Sequence, residues 1–196
     1  ISDIQALYEA GQLDFGENYV QELCDKHTQL PTDIRWHFIG HLQSNKVKYI
    51  APFVHLIHGV DSESLLKEID KQGRKNERVI DCLLQIYIAT EESKFGLDFA
   101  EAEALLEDPA FAELQHIRIV GLMGMASFTA DEGQIRQEFQ SLADFFQKLK
   151  NNKTGVSTGL VEWIELSMGM SGDYLIAAEL GATLVRVGSA IYGPRH

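Results

Sequence analysis

The chain has 196 residues, of which 45% are hydrophobic and 23% are charged, and its formal net charge at pH 7 is −12. This size and composition predict one globular domain with a substantial core. The acidic balance excludes a protein that binds nucleic acid through a basic face, so any bound anion must be held locally by backbone amides and a few placed cations. No apolar run reaches the ~20 residues that a membrane-spanning helix needs.

Two cysteines, Cys24 and Cys82, lie in unlike segments and form no CxxC pair. No signal-peptide pattern opens the chain. Together these features predict a reduced, cytoplasmic setting in which both thiols are packed or idle. The sequence starts at Ile1 rather than at a methionine, and we expect a segment upstream of it.

Helical and extended patterns alternate along the chain. The first helix is predicted to start at Ser2, which is placed to cap it, and to end at Gly11. The predicted strands are Leu13–Gly16, Trp36–Ile39, Val54–Val60, a long apolar strand within Arg78–Ala89, Ile117–Met123, Trp163–Leu166 and Leu184–Val187. The later predicted helices are Glu17–Thr28, Ser44–Ile50, Ser62–Gln72, Asp98–Glu107, Asp131–Lys150 and a segment from about Gly172 to Leu180.

Strands that alternate with helices indicate right-handed βαβ units and a parallel sheet, and continuously apolar strands agree with a sheet covered on both faces. The pattern contains about seven strands, whereas a (β/α)8 barrel needs eight. We therefore predict an α/β fold of the TIM-barrel type, with residues 1–196 as a single domain and the first strand before Ile1. The alternative is an open doubly wound sheet, which would usually carry a GxGxxG turn that this sequence lacks.

In such a barrel, functional residues gather at the carboxyl ends of the strands, and phosphate sites typically follow the last two strands. The stretch Ser167–Gly172 places two serines and two glycines between a strand and a helix. Backbone amides and hydroxyls there predict an anion site that needs no net positive charge. The alternative is an ordinary turn in which Ser171 or Asp173 caps the helix.

Arg186 lies within the apolar strand that comes next. A guanidinium in such a strand is costly unless it meets an anion or a strong acceptor. Gly188 and Ser189 follow at the strand end and add amide and hydroxyl donors. Two neighbouring donor-rich strand ends and one arginine predict a phosphate site. The alternative is a structural partner for the arginine, such as Asp14 or Glu165.

Two histidines, His37 and His41, lie in and just after a predicted strand, which suggests a metal site. Third and fourth ligands are not evident near them, so we predict no metal and expect His37 to pack within the barrel. Asn18 is either a helix-start residue or a polar contact to a ligand. Met123, like Met125 beside it, is either plain core or an apolar wall against a flat ring.

Six stretches, in order along nearly the whole chain, carry a family resemblance. They are DFGENYVQE at Asp14–Glu22, WHFIGHLQSNK at Trp36–Lys46, SKFGL at Ser93–Leu97, GLMGM at Gly121–Met125, LSMGMSGD at Leu166–Asp173 and VRVGSAIYG at Val185–Gly193. Together they resemble the pyridoxal phosphate homeostasis protein family. Their co-occurrence is specific, whereas each motif alone would be weak.

The resemblance implies a barrel related to the N-terminal domain of alanine racemase, carrying pyridoxal 5′-phosphate. By the family pattern, the cofactor-binding residues are Asn18, Ser167, Met168, Ser171, Gly172, Arg186, Gly188 and Ser189, with His37, Lys94 and Met123 as secondary candidates. The serines and glycines of this set would surround the phosphate. Arg186 would face the pyridine nitrogen, and Asn18 would lie beside the ring.

The sequence departs from the family pattern at one lysine. The family's Schiff-base lysine lies at the end of the first strand and has no counterpart here, so we expect it upstream of Ile1 and assign no catalytic residue to this chain. A chain that lacked that lysine could bind the cofactor only noncovalently. Lys94 matches a loop lysine that the family pattern associates with cofactor transfer.

The resemblance implies a protein that buffers or delivers pyridoxal phosphate in vitamin B6 and amino-acid homeostasis, without established catalysis, as a monomer or weak dimer. Its partners would be apo-enzymes that receive the cofactor. One alternative is an amino-acid racemase, but racemases of this type need a second domain, and an arginine at the ring nitrogen weakens the ring as an electron sink. Another is a phosphosugar enzyme, for which Glu17, Asp61 and His41 are available without a diagnostic spacing.

Overall fold

The computed structural model describes residues 1–90 and 95–193. Its strands are β1 Asp14–Glu17, β2 Arg35–Phe38, β3 Leu56–Val60, β4 Ile80–Gln85, β5 Ile117–Met123, β6 Val161–Met170 and β7 Leu184–Arg186. They form one parallel sheet whose strand order is the order of the chain. Within the described ranges, no helix is long and apolar enough to cross a membrane.

One helix precedes β1, and the others follow the strands and cover the outside of the sheet. They are α1 Ser2–Glu9, α2 Val20–Gln29, α3 Val47–Ile50, α4 Glu63–Lys75, α5 Phe99–Glu107, α6 Pro109–Ala112, α7 Glu132–Asn152, α8 Tyr174–Glu179 and α9 Ser189–Tyr192. Several helix starts have side-chain caps, among them acidic ones. Asp98 and Glu101 form a capping box at α5, and Asp131 accepts two backbone hydrogen bonds at the start of α7.

The sheet curls into a nearly closed barrel. Nδ1 of His58 in β3 lies 2.8 Å from Oγ of Ser167 in β6, although two other strands separate β3 from β6 in the sheet. In a flat sheet these strands would be about 14 Å apart, at ~4.8 Å per strand. The prediction of an α/β fold of the TIM-barrel type is confirmed, with β1 and β7 as the two edges of the described sheet.

Two apolar layers hold the barrel together. The larger layer lies between strands and helices and contains Trp36 of β2 and Phe139 of α7, which are 1% and 0% exposed. Burying a side chain such as Phe139 contributes about 1.5–3 kcal/mol. The smaller layer fills the barrel interior. It consists of Leu56, Leu83, Val120 and Met123, with Met125 and Leu184 packed against it.

Gly121 lets β5 and β6 approach each other. Its φ is 159°, and a Cβ built on it would lie 1.7 Å from the carbonyl oxygen of Glu165. Any side chain would therefore push the two strands apart. This close approach explains the glycine at the start of the GLMGM stretch.

The strand β6 is longer than predicted. It continues to Met170 instead of ending at Leu166, because the backbone from Ser167 onward still pairs with β7. As a result, α8 begins at Tyr174 rather than near Gly172. The stretch predicted as an anion-binding loop is therefore mostly strand.

Two predicted helix starts are also wrong. Ser2 is the first residue of α1 rather than its cap, and Ile1 before it makes no side-chain capping bond. β1 continues through Glu17, so α2 begins at Val20. The extended conformation buries the Glu17 side chain to 5% exposure and pairs its carboxylate with Lys26 of α2.

Candidate functional site

The ends of β6 and β7 lie side by side, and this brings two of the predicted stretches together. Oγ of Ser171, which follows β6, accepts hydrogen bonds from the backbone N–H groups of Gly188 at 3.1 Å and Ala190 at 3.3 Å. Gly188 and Ala190 lie at the start of α9. The first donor-rich stretch therefore contacts the second, as expected for neighbouring parallel strands.

Open space borders this junction. A Cβ built on Gly172 or Gly188 would meet no protein atom within 4 Å. Asp173 closes the turn, because its Oδ1 accepts the N–H of Met170 at 2.6 Å. The two α9 amides converge on a single oxygen atom of Ser171, which is how backbone amides also bind one oxygen of a phosphate.

Arg186 ends β7, and its guanidinium turns into the barrel. Nη1 donates to Oγ of Ser167 at 2.6 Å, and Nη2 donates to the carbonyl oxygen of Gly124 at 3.0 Å. Burial lowers the pKa of Arg186 to about 10, against the opposing field of Asp173. The side chain therefore still carries a positive charge at neutral pH.

The two carboxylates considered as structural partners of Arg186 bind other groups. Asp14 Oδ2 pairs with Arg35 at 2.6 Å, and Glu165 Oε2 accepts a hydrogen bond from Thr183 Oγ1 at 2.5 Å. Arg186 is instead held by a hydroxyl and a carbonyl oxygen, both of which are uncharged. Its charge is thus available to an anion.

Ser167 belongs to a buried row of polar side chains that crosses the barrel interior. Its hydroxyl lies 2.8 Å from Nδ1 of His58, and Nε2 of His58 lies 2.8 Å from Nδ1 of His37. Nε2 of His37 in turn lies 3.0 Å from Oδ1 of Asp14. This polar row therefore runs from Asp14 to Arg186 through β1, β2, β3, β6 and β7.

The environment favours the neutral form of both histidines in the polar row. Burial lowers the pKa of His58 well below its usual value, and the fields of His37 and Arg186 act in the same direction. Burial also lowers the pKa of His37, partly offset by its hydrogen bond to Asp14. His37 is 7% exposed and lies within the barrel, as the sequence predicts.

A cavity of about 300 Å³ opens at the amino-terminal end of the barrel, where Asp14, Arg35, His37 and His55 contribute to its lining. Ligand atoms of Asp14, His37 and His55 lie within 4.8 Å of one another, a spacing that could suit a metal ion. The sequence paired His37 with His41 instead and predicted no metal. Both oxygens of Asp14 are already engaged, by Arg35 and His37, so this cluster satisfies its own charges.

The other predicted residues take varied positions. Met168 is fully buried between sheet and helices, so only its main chain could face a ligand. Met123 packs in the barrel interior at 1% exposure. Ser189 is exposed at the start of α9. Lys94 lies outside the described residues.

Asn18 is exposed and directly follows β1. It lines an open groove of about 910 Å³ together with Gly40, His41 and Tyr49, among others. Gly40 has to be small, because a Cβ there would lie 2.2 Å from the carbonyl oxygen of Asn18. Asn18 is thus at the same end of the barrel as Ser171, at the opposite edge of the sheet.

Sequence reasoning did not assign His58 or Asp14 to a site. The available signal was a polar residue in an otherwise apolar strand, which is the signal that singled out Arg186. This signal could not identify the partner of His58, because that partner is Ser167, 109 residues further along the chain. Only the closed barrel brings them together.

Known proteins match the chain over nearly its full length. The family model for the N-terminal domain of alanine racemase matches residues 2–196. The pyridoxal phosphate homeostasis protein of Aquifex aeolicus is 37% identical over 193 residues, which cover 98% of this chain and 81% of that protein.

Solved structures agree with this relationship. PipY of Synechococcus elongatus, solved without PLP, is 35% identical with a TM-score of 0.87, covering 98% of this chain and 87% of that one. The structure of PipY with PLP bound matches at 34% identity and a TM-score of 0.83 over the same shares. The chain therefore belongs to the pyridoxal phosphate homeostasis protein family and is built on the alanine racemase N-terminal fold.

Proposed function

We propose that this chain binds pyridoxal phosphate at the carboxyl ends of β6 and β7 and serves as a carrier that buffers the cofactor and delivers it to apo-enzymes. The observation that carries the proposal is the convergence of the Gly188 and Ala190 amides on Ser171 Oγ, close to the strand end that holds Arg186. The family relationship supports it, since PipY has been solved with PLP bound. In this proposal residues 1–196 act as one binding domain.

The donor set fits a phosphate ester. Backbone amides and hydroxyls bind phosphate in proteins, and both occur at this junction. The open space beside Gly172 and Gly188 admits a ligand close to the backbone. A chain with a net charge of −12 needs such a local arrangement, because its overall field repels anions.

The chain's own residues would act as follows. A phosphate oxygen would take the place of Ser171 Oγ on the two amides, and the freed hydroxyl of Ser171 would donate to the phosphate. Gly172 and Ser189 would complete the phosphate contacts. Arg186 would hold the ring nitrogen, Asn18 would lie beside the ring, and Met168 would contribute main-chain contacts only. When bound, the cofactor supplies an aldehyde that reacts with amines.

A carrier is favoured over a racemase by the environment of Arg186. A guanidinium has donors and no acceptor, so a ring nitrogen facing it has to be the acceptor and stays unprotonated. An unprotonated ring is a poor electron sink, which disfavours chemistry at the α-carbon of an amino acid. The names of the relatives, which describe homeostasis, agree with this choice.

The proposal is tested by equilibrium dialysis of the purified chain against pyridoxal phosphate, with pyridoxal as the matched ligand that lacks the phosphate. We expect pyridoxal phosphate to bind at least tenfold more tightly, a difference of about 1.4 kcal/mol. Equal affinities would remove the phosphate site from the proposal, and no binding of either ligand would overturn it. Racemisation of amino acids above the rate of free pyridoxal phosphate would favour the racemase alternative.

A further inference from the structure

The polar row across the barrel interior has two ends that differ in hydrogen-bonding character. At one end, the guanidinium of Arg186 donates to Ser167 Oγ at 2.6 Å. At the other end, Asp14 Oδ1 faces Nε2 of His37 at 3.0 Å. Arginine has only donors and an ionised carboxylate has only acceptors, so the two ends bias the hydrogens of every group between them.

The hydrogens can be assigned from the Asp14 end. His37 must carry its hydrogen on Nε2 to donate to the carboxylate, which leaves Nδ1 of a neutral ring as an acceptor. His58 then donates from Nε2 to that atom at 2.8 Å, and its own Nδ1 becomes an acceptor. The hydroxyl of Ser167 donates to this Nδ1 atom at 2.8 Å, and the oxygen of the same hydroxyl accepts a hydrogen bond from Arg186.

We propose that the polar row is a one-directional chain of hydrogen bonds from Arg186 to Asp14, in which His58 and Asp14 are positioning residues for the Arg186 guanidinium. The proposed role in cofactor binding rests on the function proposed above. The direction of the bonds rests on the geometry and on the neutral state of the two rings, and does not depend on that function.

Neutral rings are required for this assignment, and their surroundings favour them. His58 is 2% exposed and lies between His37 and Ser167, next to the cation of Arg186. Burial lowers the pKa of both imidazoles. A protonated His58 would point an N–H at Ser167 Oγ, which would release the serine hydroxyl from its present acceptor.

The chain of bonds fixes Arg186 at a defined place. Ser167 Oγ can accept the guanidinium in one orientation because its hydrogen is committed to His58. The carbonyl oxygen of Gly124 provides a second anchor at 3.0 Å. Two anchors on a planar guanidinium define its plane, so the remaining N–H groups are oriented before a ligand arrives.

Asp14 sets the direction from the opposite end of the barrel. Its Oδ2 accepts a hydrogen bond from Arg35 at 2.6 Å, so a cation lies beside the carboxylate that faces His37. The amino-terminal cavity gives solvent access to this pair, since Asp14 and Arg35 both contribute to its lining. The charge state at one end of the barrel is therefore connected to the cation at the other end.

The direction is tested by ¹⁵N NMR of the histidine side chains in the wild-type protein at pH 7.5. We expect His37 and His58 to be neutral, each with its hydrogen on Nε2. A hydrogen on Nδ1 in either ring, or a charged ring, would overturn the assignment. Asp14→Asn should produce a mixture of tautomers, because an amide can donate as well as accept. Asp81→Asn is the matched control, since Asp81 lines the same cavity but pairs with Arg118.

The positioning role is tested by pyridoxal phosphate affinity. We expect His58→Phe and Ser167→Ala each to weaken binding about tenfold, the size expected when one hydrogen bond to a charged group loses its orientation. Asp81→Asn should bind like the wild type. Circular dichroism shows whether each variant folds, and Ser167→Ala, which changes a single oxygen, reports the same loss should His58→Phe fail to fold.

The outcomes separate this inference from the proposed function. A Ser167→Ala variant that binds pyridoxal phosphate as tightly as the wild type would overturn the positioning role and leave the carrier function intact. A wild type that does not bind pyridoxal phosphate would overturn the carrier function, and the NMR experiment would still decide the direction of the bonds.

Discussion

The arginines at the two ends of the barrel have different kinds of partner. At the amino-terminal end, Arg35 pairs with Asp14 at 2.6 Å and Arg118 pairs with Asp81 at 2.8 Å. At the carboxyl end, Arg186 is bound by a hydroxyl and a carbonyl oxygen, and two backbone amides nearby converge on a serine. The two ends thus differ in the partners of their arginines, which are ion-paired at one end and hydrogen-bonded to uncharged oxygens at the other.

The difference between the two ends can be tested by removing one arginine from each end. We expect Arg186→Met to weaken pyridoxal phosphate binding about 100-fold, or about 2.7 kcal/mol, because a charged contact in a partly desolvated site is lost. Arg118→Met should leave affinity within about twofold. Loss of the partly exposed ion pair between Arg118 and Asp81 should lower the free energy of unfolding by about 1 kcal/mol or less. Equilibrium dialysis and urea unfolding give the two quantities.

Equal affinities of Arg186→Met and the wild type would mean that the arginine is purely structural. In that case the unfolding free energy, rather than the affinity, should respond to the change. A loss of affinity in Arg118→Met as large as in Arg186→Met would mean that the two ends are not distinct.

A smaller effect is expected at the serine that holds the amides. In Ser171→Ala the N–H groups of Gly188 and Ala190 lose their acceptor, which should lower the unfolding free energy of the free protein by about 1 kcal/mol. Pyridoxal phosphate affinity should fall about fivefold, because one hydroxyl donor is lost while both amides are kept. Thermal melts with and without ligand measure both quantities.

The control for this experiment is Ser157→Ala, which changes an exposed serine in the short turn Val156–Thr158. That variant should match the wild type in both measurements. A Ser171→Ala protein that also matches the wild type would show that the amides do not depend on this hydroxyl and would remove it from the phosphate contacts.

The polar row predicts a dependence of stability on pH. The pKa values of His58 and His37 are lowered by burial, so below about pH 6.5 the unfolded chain binds more protons than the folded protein. Stability should therefore be full above that pH and fall as the pH drops toward 5.5. We expect Tm to fall by a few degrees, at about 2–4 °C per kcal/mol.

The charges that face these rings decide which variant isolates the effect. His58 faces His37 and Arg186, and His37 also faces Asp14, Arg35 and His55. His58→Gln, which does not titrate, should flatten the dependence of Tm between pH 7.5 and 5.5. His27→Gln serves as the comparison, because burial also lowers the pKa of His27, less far than that of His58, and its ring stacks on Phe53 outside the polar row; this variant should flatten the dependence less. An equally steep pH dependence in His58→Gln would contradict the assignment.

Local sequence patterns predicted much of this molecule. Alternating helical and apolar extended segments gave the correct fold class, because a parallel sheet covered on both faces imposes that pattern. Arg186 was recognisable because a charge in an apolar strand needs a partner. The end of β6 was missed, since the small polar residues from Ser167 onward are typical of a turn and pairing with β7 overrode that preference.

The order of elements, the net negative charge and the donor-rich ends of the last two strands could all be inferred from the amino-acid sequence. Which oxygens those donors meet is defined only in the folded barrel. Arg186 binds Ser167 rather than a carboxylate, and Ser167 meets His58 from 109 positions away. The physical reason is that hydrogen bonds are short and directional, so partners on distant strands are chosen by the curvature and register of the barrel, which no local pattern encodes.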